Sequence, residues 1–252
     1  MGILNLTPDS FSDGGKFNTL DTALRRVEEM EKEGADIIDI GAESTGPGSK
    51  DVSLEEERDR LFPILEKIRE NTSLPISLDT YKAEIANQAL DLGIEIINDV
   101  TGLRGDEGMA QIIAKHQSFV IIMYAKDNSP RTTIQPKRYD DIILEIKSFF
   151  QERINYCLKN GISIERIILD PGMGHFLSSN PSCSLEVIDK AEELKSFGLP
   201  IMLGISRKSF LGEGMKTREK KEQILSLRAH ENGVQIFRTH NVGRLRETFF
   251  EK

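Results

Sequence analysis

The strongest constraint on the fold is an alternation that runs the length of the chain, in which short β-branched apolar runs take turns with longer segments of helical periodicity. The short runs are GILNL (2–6), DIIDIG (36–41), PISLD (75–79), EIINDV (95–100), FVIIMY (119–124), RIILD (166–170), PIMLGIS (200–206) and VQIFRTH (234–240). Helical spacing occupies 19–33, 54–70, 81–92, 107–116, 139–160, 184–197, 219–232 and 243–250. Asp21 and Ser53 act as start signals, and Gly34, Gly93, Gly161 and Gly233 as stops. Near-continuous apolar strands, each followed by a helix, predict a parallel sheet covered by helices. Eight such units in 252 residues, with no linker of biased composition, predict an α/β fold in which a single (β/α)8 TIM barrel domain spans 1–252. The competing doubly wound sheet calls for a GxGxxG turn after an early strand, and the sequence has none.

A barrel of this kind keeps its active site at the C-terminal ends of the strands. Those ends are unusually polar: Asn5; Asp39 and Glu43, then Ser44 and Thr45; Asp79 and Thr80; Asn98 and Asp99; Met123 and Tyr124; Asp170; Ser206, Arg207 and Lys208; Arg238 and His240. Taken singly, an Asp or Asn here also serves as a helix cap, and Arg207 or Lys208 as a surface charge. Their recurrence on strand after strand points to a ligand. Asp and Asn side chains can accept from, or donate to, the amide and amino edge of a nitrogen-rich heterocycle, while Arg presents a planar fork to phosphate oxygens.

The charge balance excludes other partners. With 33 basic against 41 acidic residues the net charge is −8, and no basic run with interleaved aromatics appears, so nucleic acid is not expected. No stretch approaches the roughly twenty apolar residues of a membrane span, and the N-terminus lacks the succession of a secretion leader, so a cytoplasmic location is expected. Cys157 in a helical pattern and Cys183 in a polar loop have no metal-ligand spacing and read as unpaired thiols. His116 and His230 fall within or at the end of helices, away from the strand termini, and read as packing residues.

Seven motifs in order, MGILNLTPDSFSDGG (1–15), GAESTGPG (41–48), LDTYK (78–82), INDVTG (97–102), LDPGMG (169–174), GISRKSFLG (204–212) and FRTHNV (237–242), closely resemble dihydropteroate synthase, the pterin-binding barrel family of folate synthesis. The resemblance implies condensation of 6-hydroxymethyl-7,8-dihydropterin diphosphate with 4-aminobenzoate, giving 7,8-dihydropteroate and diphosphate. It implies that Asp79, Asn98, Asp170 and Lys208 surround the pterin, with Met123 and Gly204 shaping the slot. It assigns Arg238 and His240 to the diphosphate, Asn5 to a Mg²⁺ on that leaving group, and Phe11, Thr45, Pro47 and Ser209 to the 4-aminobenzoate side. Asp79, Asp170, Lys208, Arg238 and His240 form the implied catalytic set, and a homodimer the implied assembly.

Three departures from the family pattern stand out. Gly46 takes the place of an arginine in the usual Ser-Thr-Arg-Pro-Gly loop. GHFLSSNP (174–181) replaces a segment that in many relatives runs Gly-Phe-Gly-Lys, so that Phe176 or His175 would supply the aromatic group. The sequence also opens almost on the first strand, where relatives often carry a preceding segment. Two further readings follow: a catalytically impaired paralogue that keeps the pterin residues, and a pterin-dependent methyltransferase barrel.

Overall fold

The structure, a computed structural model, describes residues 1–7 and 16–250. Among these residues eight strands and eight α-helices alternate: β1 (Gly2–Asn5), α1 (Lys16–Lys32), β2 (Ile38–Gly41), α2 (Leu54–Asn71), β3 (Ile76–Asp79), α3 (Ala83–Asp91), β4 (Ile96–Asp99), α4 (Met109–His116), β5 (Phe119–Met123), α5 (Ile142–Lys159), β6 (Ile167–Asp170), α6 (Pro181–Asp189), β7 (Met202–Leu203), α7 (Met215–Glu231), β8 (Ile236–Phe237) and α8 (Val242–Phe250). Strands β1 to β6 pair in chain order and in parallel, as do β7 and β8. Single parallel bridges, Leu169 to Ile201 and Thr239 to Gly2, join the two sheets and close the ring. The predicted (β/α)8 barrel is therefore the observed architecture.

The period-two rule for strands explains how one sequence serves two faces. Leu4, Ile38, Ile40, Ile76, Leu78, Ile97, Val120, Ile122, Ile167, Leu169, Ile201 and Leu203 point outward and pack with the helices in one continuous core. The intervening residues point into the barrel, where Ile96, Ile121, Ile168 and Met202 close its lower end with Met1. Burying one such aliphatic side chain is worth about 1.5–3 kcal/mol, so a one-residue slip of any strand would forfeit several of these contacts at once. Register, and with it the polar upper layer, is set by this apolar pattern.

The structure corrects several local expectations. The segment 184–197 is not one helix: α6 begins at Pro181, capped by Asn180 accepting from the Ser182 amide at 3.1 Å, and ends at Asp189 before a 3₁₀ stretch, Ala191–Phe197. Proline at the first helical position, where no amide hydrogen is needed, explains the earlier start. Cys183 consequently lies buried in α6 and not in a polar loop, and both cysteines are unpaired. Helix α7 is four residues longer at its start than its pattern implied, while β7 and β8 shrink to two residues each. Among the described residues no helix is long and apolar enough to cross a membrane.

Candidate active site

The inward-facing residues at the C-terminal ends of the strands form one polar layer. Asn5 lies opposite Gly41, Gly41 opposite Asp79, Asp79 opposite Asn98, and Met123 opposite Asp170, so residues far apart in sequence meet by register alone. Of these, Asn5, Asp79, Asn98, Met123 and Asp170 line a cavity of about 460 Å³ together with Thr45, Gly204, Lys208, Arg238 and His240, within the range of about 300–1,000 Å³ usual for small-ligand sites. Gly204 keeps this space open, since an added Cβ there would reach only the Arg238 side chain, at 4.0 Å.

Arg238 sits at the centre of the layer. Its Nε donates to Asp39 Oδ2 at 2.6 Å and its Nη2 to Asp79 Oδ2 at 2.8 Å. Asp39, fully buried one register step below the rim, also accepts from Asn98 Nδ2 at 3.3 Å. Burial raises the Asp79 carboxyl to about 7, against the pull of Arg238 and with the help of the negative charge on Asp39. Asp170 is raised by burial to about 6, opposed by the Gly172 amide, which donates to its Oδ1 at 2.8 Å, and by Lys208. Gly172 can do this because it adopts φ +72°, with its backbone so close to the Tyr124 carbonyl that a Cβ would stand 2.4 Å from the oxygen.

Lys208 is lowered to about 8, first by burial and then by Arg238, with Asp170 and Asp79 pulling the other way; its ammonium lies 4.8 Å from the centre of the Phe176 ring. His240 accepts or donates at 3.1 Å between Nδ1 and Ser206 Oγ, and burial followed by the charges of Arg207 and Arg238 depresses it to about 3. Its imidazole is neutral at physiological pH, so it offers a hydrogen bond and no positive charge. Three groups thus titrate near neutrality within one enclosed layer, the pattern expected where chemistry occurs.

Of the site residues expected from the sequence, Asn5, Thr45, Asp79, Asn98, Met123, Asp170, Gly204, Lys208, Arg238 and His240 all face this cavity. Pro47 and Ser209 are exposed and stand outside its lining; Ser209 Oγ meets His175 Nε2 at 3.0 Å. Phe11 lies outside the described residues. Asp39 was legible as a polar strand residue yet absent from the expected site set, and its partner 199 positions away is what marks it. Asp99, by contrast, faces the other way and serves its own loop, accepting from the Thr101 and Leu103 amides at 2.7 and 3.2 Å. His116 meets Asn87 Oδ1 at 3.1 Å and His230 packs on Phe237 and Phe249, both away from the cavity. Among the described residues no group of three or more His, Cys, Asp or Glu side chains could by itself hold a metal ion.

A pterin binding enzyme family model matches residues 1–240. The dihydropteroate synthase of Synechocystis is 40% identical over 247 residues, covering 96% of this chain and 84% of that one. A solved dihydropteroate synthase from Clostridium difficile, determined in the presence of pteroic acid, superposes with a TM-score of 0.89 at 41% identity and covers 100% of this chain and 96% of its own. The Xanthomonas albilineans dihydropteroate synthase with 4-aminobenzoic acid gives 0.90 at 34% identity, covering 98% and 89%.

Proposed function

This chain belongs to the pterin-binding enzyme family, and on that premise we propose that its cavity performs the dihydropteroate synthase reaction. The methylene of 6-hydroxymethyl-7,8-dihydropterin diphosphate loses diphosphate and is captured by the amine of 4-aminobenzoate, giving 7,8-dihydropteroate. The methyltransferase alternative is set aside because the relatives named above are synthases. The single observation that carries the reading is the ring of Asp79, Asn98, Asp170, Lys208 and Arg238 around one cavity, with carboxyls poised near neutrality.

In this reading the carboxylates of Asp79 and Asp170 accept from the amino and ring N–H groups of the pterin, Asn98 both accepts and donates, and Lys208 donates to the pterin's acceptors. As the carbon–oxygen bond breaks, the electron pair leaves with diphosphate and positive charge spreads from the methylene into the ring. The ionised carboxylates of Asp79 and Asp170 favour that charge in an enclosed, low-dielectric space. Arg238 and neutral His240 meet the departing oxygens, the former by charge and the latter by a hydrogen bond. The amine lone pair then forms the carbon–nitrogen bond and its proton passes to solvent, so no strong general base is required.

Asn5 would hold Mg²⁺ together with the diphosphate oxygens. The fit rests on its exposed amide at the cavity rim, a neutral oxygen donor of the kind that suits Mg²⁺ where substrate phosphates and waters supply most of the ligands. When bound, the ion neutralises charge on the leaving group. A homodimer is supported by Met215, Ile224 and Leu227, large apolar side chains left exposed on α7.

The deciding experiment is formation of 7,8-dihydropteroate from the two substrates with Mg²⁺ present, beside a control in which Lys208→Ala loses at least about a hundredfold in kcat/KM. Wild-type protein that releases no product, or a Lys208→Ala variant of unchanged activity, would overturn the assignment.

A further inference from the structure

Residues 42–53, which follow β2, form a loop of which Glu43 to Gly46 line the cavity. It is held by residues of a different loop, the one that follows β5. Arg131 pairs through Nη2 with Glu43 Oε1, donates from the same nitrogen to the Lys50 carbonyl at 2.7 Å, and pairs through Nη1 with Asp51 Oδ1 at 2.6 Å. The next residue, Thr132, is buried; its amide donates to the Thr45 carbonyl at 3.2 Å, and its hydroxyl donates to the His175 carbonyl at 2.7 Å. His175 belongs to the loop after β6; its neighbour Phe176 also lines the cavity, and the Phe176 carbonyl accepts from the Lys126 amide at 2.8 Å.

We infer that Arg131 and Thr132 form a strap that positions two walls of the substrate site relative to each other, with Arg131 the positioning residue for the loop that carries Thr45 and Gly46. Three observations support a role in the site over a role in folding. Among the described residues the guanidinium's partners, apart from the Tyr81 hydroxyl at 3.5 Å, belong to residues 43–51 and none to the barrel core. Glu43, the anchor point, is itself fixed at its other oxygen by Lys82 at 2.6 Å, so Arg131 closes the loop onto a rigid base. Gly46, at the loop's inner turn, would offer a side chain only Ser44 Oγ within 4 Å among the described residues, and the hydrogen bonds at the turn, such as Ser49 Oγ donating to the Gly46 carbonyl at 2.7 Å, stay within the loop and do not tie it to the barrel.

A glycine turn loses more freedom on ordering than other residues do. The multidentate Arg clamp supplies compensating interactions from outside the loop, several of them charge-assisted. Arg is suited to this because its fork serves a carboxylate and a carbonyl at the same time; a Lys in its place would satisfy only part of the set.

The test compares Arg131→Ala, Arg131→Lys and Thr132→Ala with the parent protein, by hydrogen exchange and by steady-state kinetics at saturating pterin diphosphate. The kinetic arm rests on the synthase reading; the exchange arm does not. Arg131→Ala is expected to speed amide exchange across 43–52 about tenfold while the strands keep their protection. It should raise the KM for 4-aminobenzoate about tenfold with kcat held within about twofold, and Arg131→Lys should recover part of that loss. Thr132→Ala removes the hydroxyl bond to the His175 carbonyl and keeps the amide bond to Thr45, so it should loosen 173–177 more than 43–52; Arg131→Lys carries the loop arm of the test if Arg131→Ala does not fold.

Unchanged exchange in 43–52, loosening spread over the whole barrel, a loss confined to kcat, or a lysine variant no better than alanine would each overturn the strap. Failure of the parent protein to make dihydropteroate would instead overturn the synthase reading, and the exchange result would still decide the strap.

Discussion

Arg238 Nε donates to Asp39 Oδ2 at 2.6 Å across the barrel, joining the eighth strand region to the second through a carboxylate with no solvent exposure. Removing one member of a buried pair costs about 3–5 kcal/mol when it strands the other charge. Arg238 also holds Asp79 at 2.8 Å and is partly exposed, so the cost falls below that range. Asp39→Asn should therefore fold, with a Tm lower by several degrees. Because the Asp39 charge helps hold Asp79 up at about 7, the ascending limb of the pH profile of kcat/KM should move to lower pH in the variant. A limb that stays in place would show that Asp79 does not govern it.

Asp170 makes a prediction about stability with a definite sign. Its carboxyl titrates at about 6 in the folded chain against an ordinary 3.8. A raised carboxyl contributes stability that is fully present below the unfolded value and is lost as pH rises through the folded value. Asparagine keeps the acceptor for the Gly172 amide and does not titrate. The Tm difference, Asp170→Asn minus parent, should become more positive between about pH 4 and pH 7. Calorimetry of the ligand-free proteins over that interval would show a flat or falling difference if the carboxyl is not desolvated, and turnover should be lost at every pH.

Gly46→Arg is expected to be tolerated. The backbone there does not adopt the left-handed region, and among the described residues an added Cβ meets only Ser44 Oγ, at an ordinary 3.6 Å. Stability should change by no more than about 0.5 kcal/mol, as for other surface substitutions. The new cation would face the cavity, and lower KM for either anionic substrate is the expected gain. Equal KM values in steady-state assays would mean that the chain needs no cation at this turn, as would be the case if the strap at Arg131 already holds the loop.

Gly172→Ala should be damaging although the change is one methyl group. The residue sits at φ +72°, and its Cβ would stand 2.4 Å from the Tyr124 carbonyl oxygen, a backbone atom that cannot swing aside. Strain of this kind costs about 1–3 kcal/mol, and relieving it would pull the amide off Asp170. A Tm drop of several degrees together with loss of turnover is expected; a variant with parental Tm and activity would mean that the turn has room the structure does not show.

Most of the barrel could be read from sequence because its information is local. Strands such as 36–41 and 119–124 announce themselves by β-branched residues, and the helices by their period and stop glycines. The weaker readings were those in which tertiary contacts overrule local pattern. Proline and Asn180 pulled the start of α6 forward and took Cys183 out of the expected loop, while β7 and β8 keep only two ladder residues each although their apolar runs are seven long.

The amino-acid sequence by itself determined the architecture and the identity of the polar groups at the strand ends, since alternation along each strand decides which residues share a face. Tertiary structure alone decided what those groups are. Asp39 and Arg238 become partners only when the ring closes, His240 becomes a neutral donor only once burial and neighbouring Arg207 and Arg238 surround it, and Arg131 reaches Glu43 only because two loops rise from the same rim. Charge state and pairing depend on desolvation and on distances of a few ångströms between residues tens to hundreds of positions apart, and no local pattern in the chain encodes those distances.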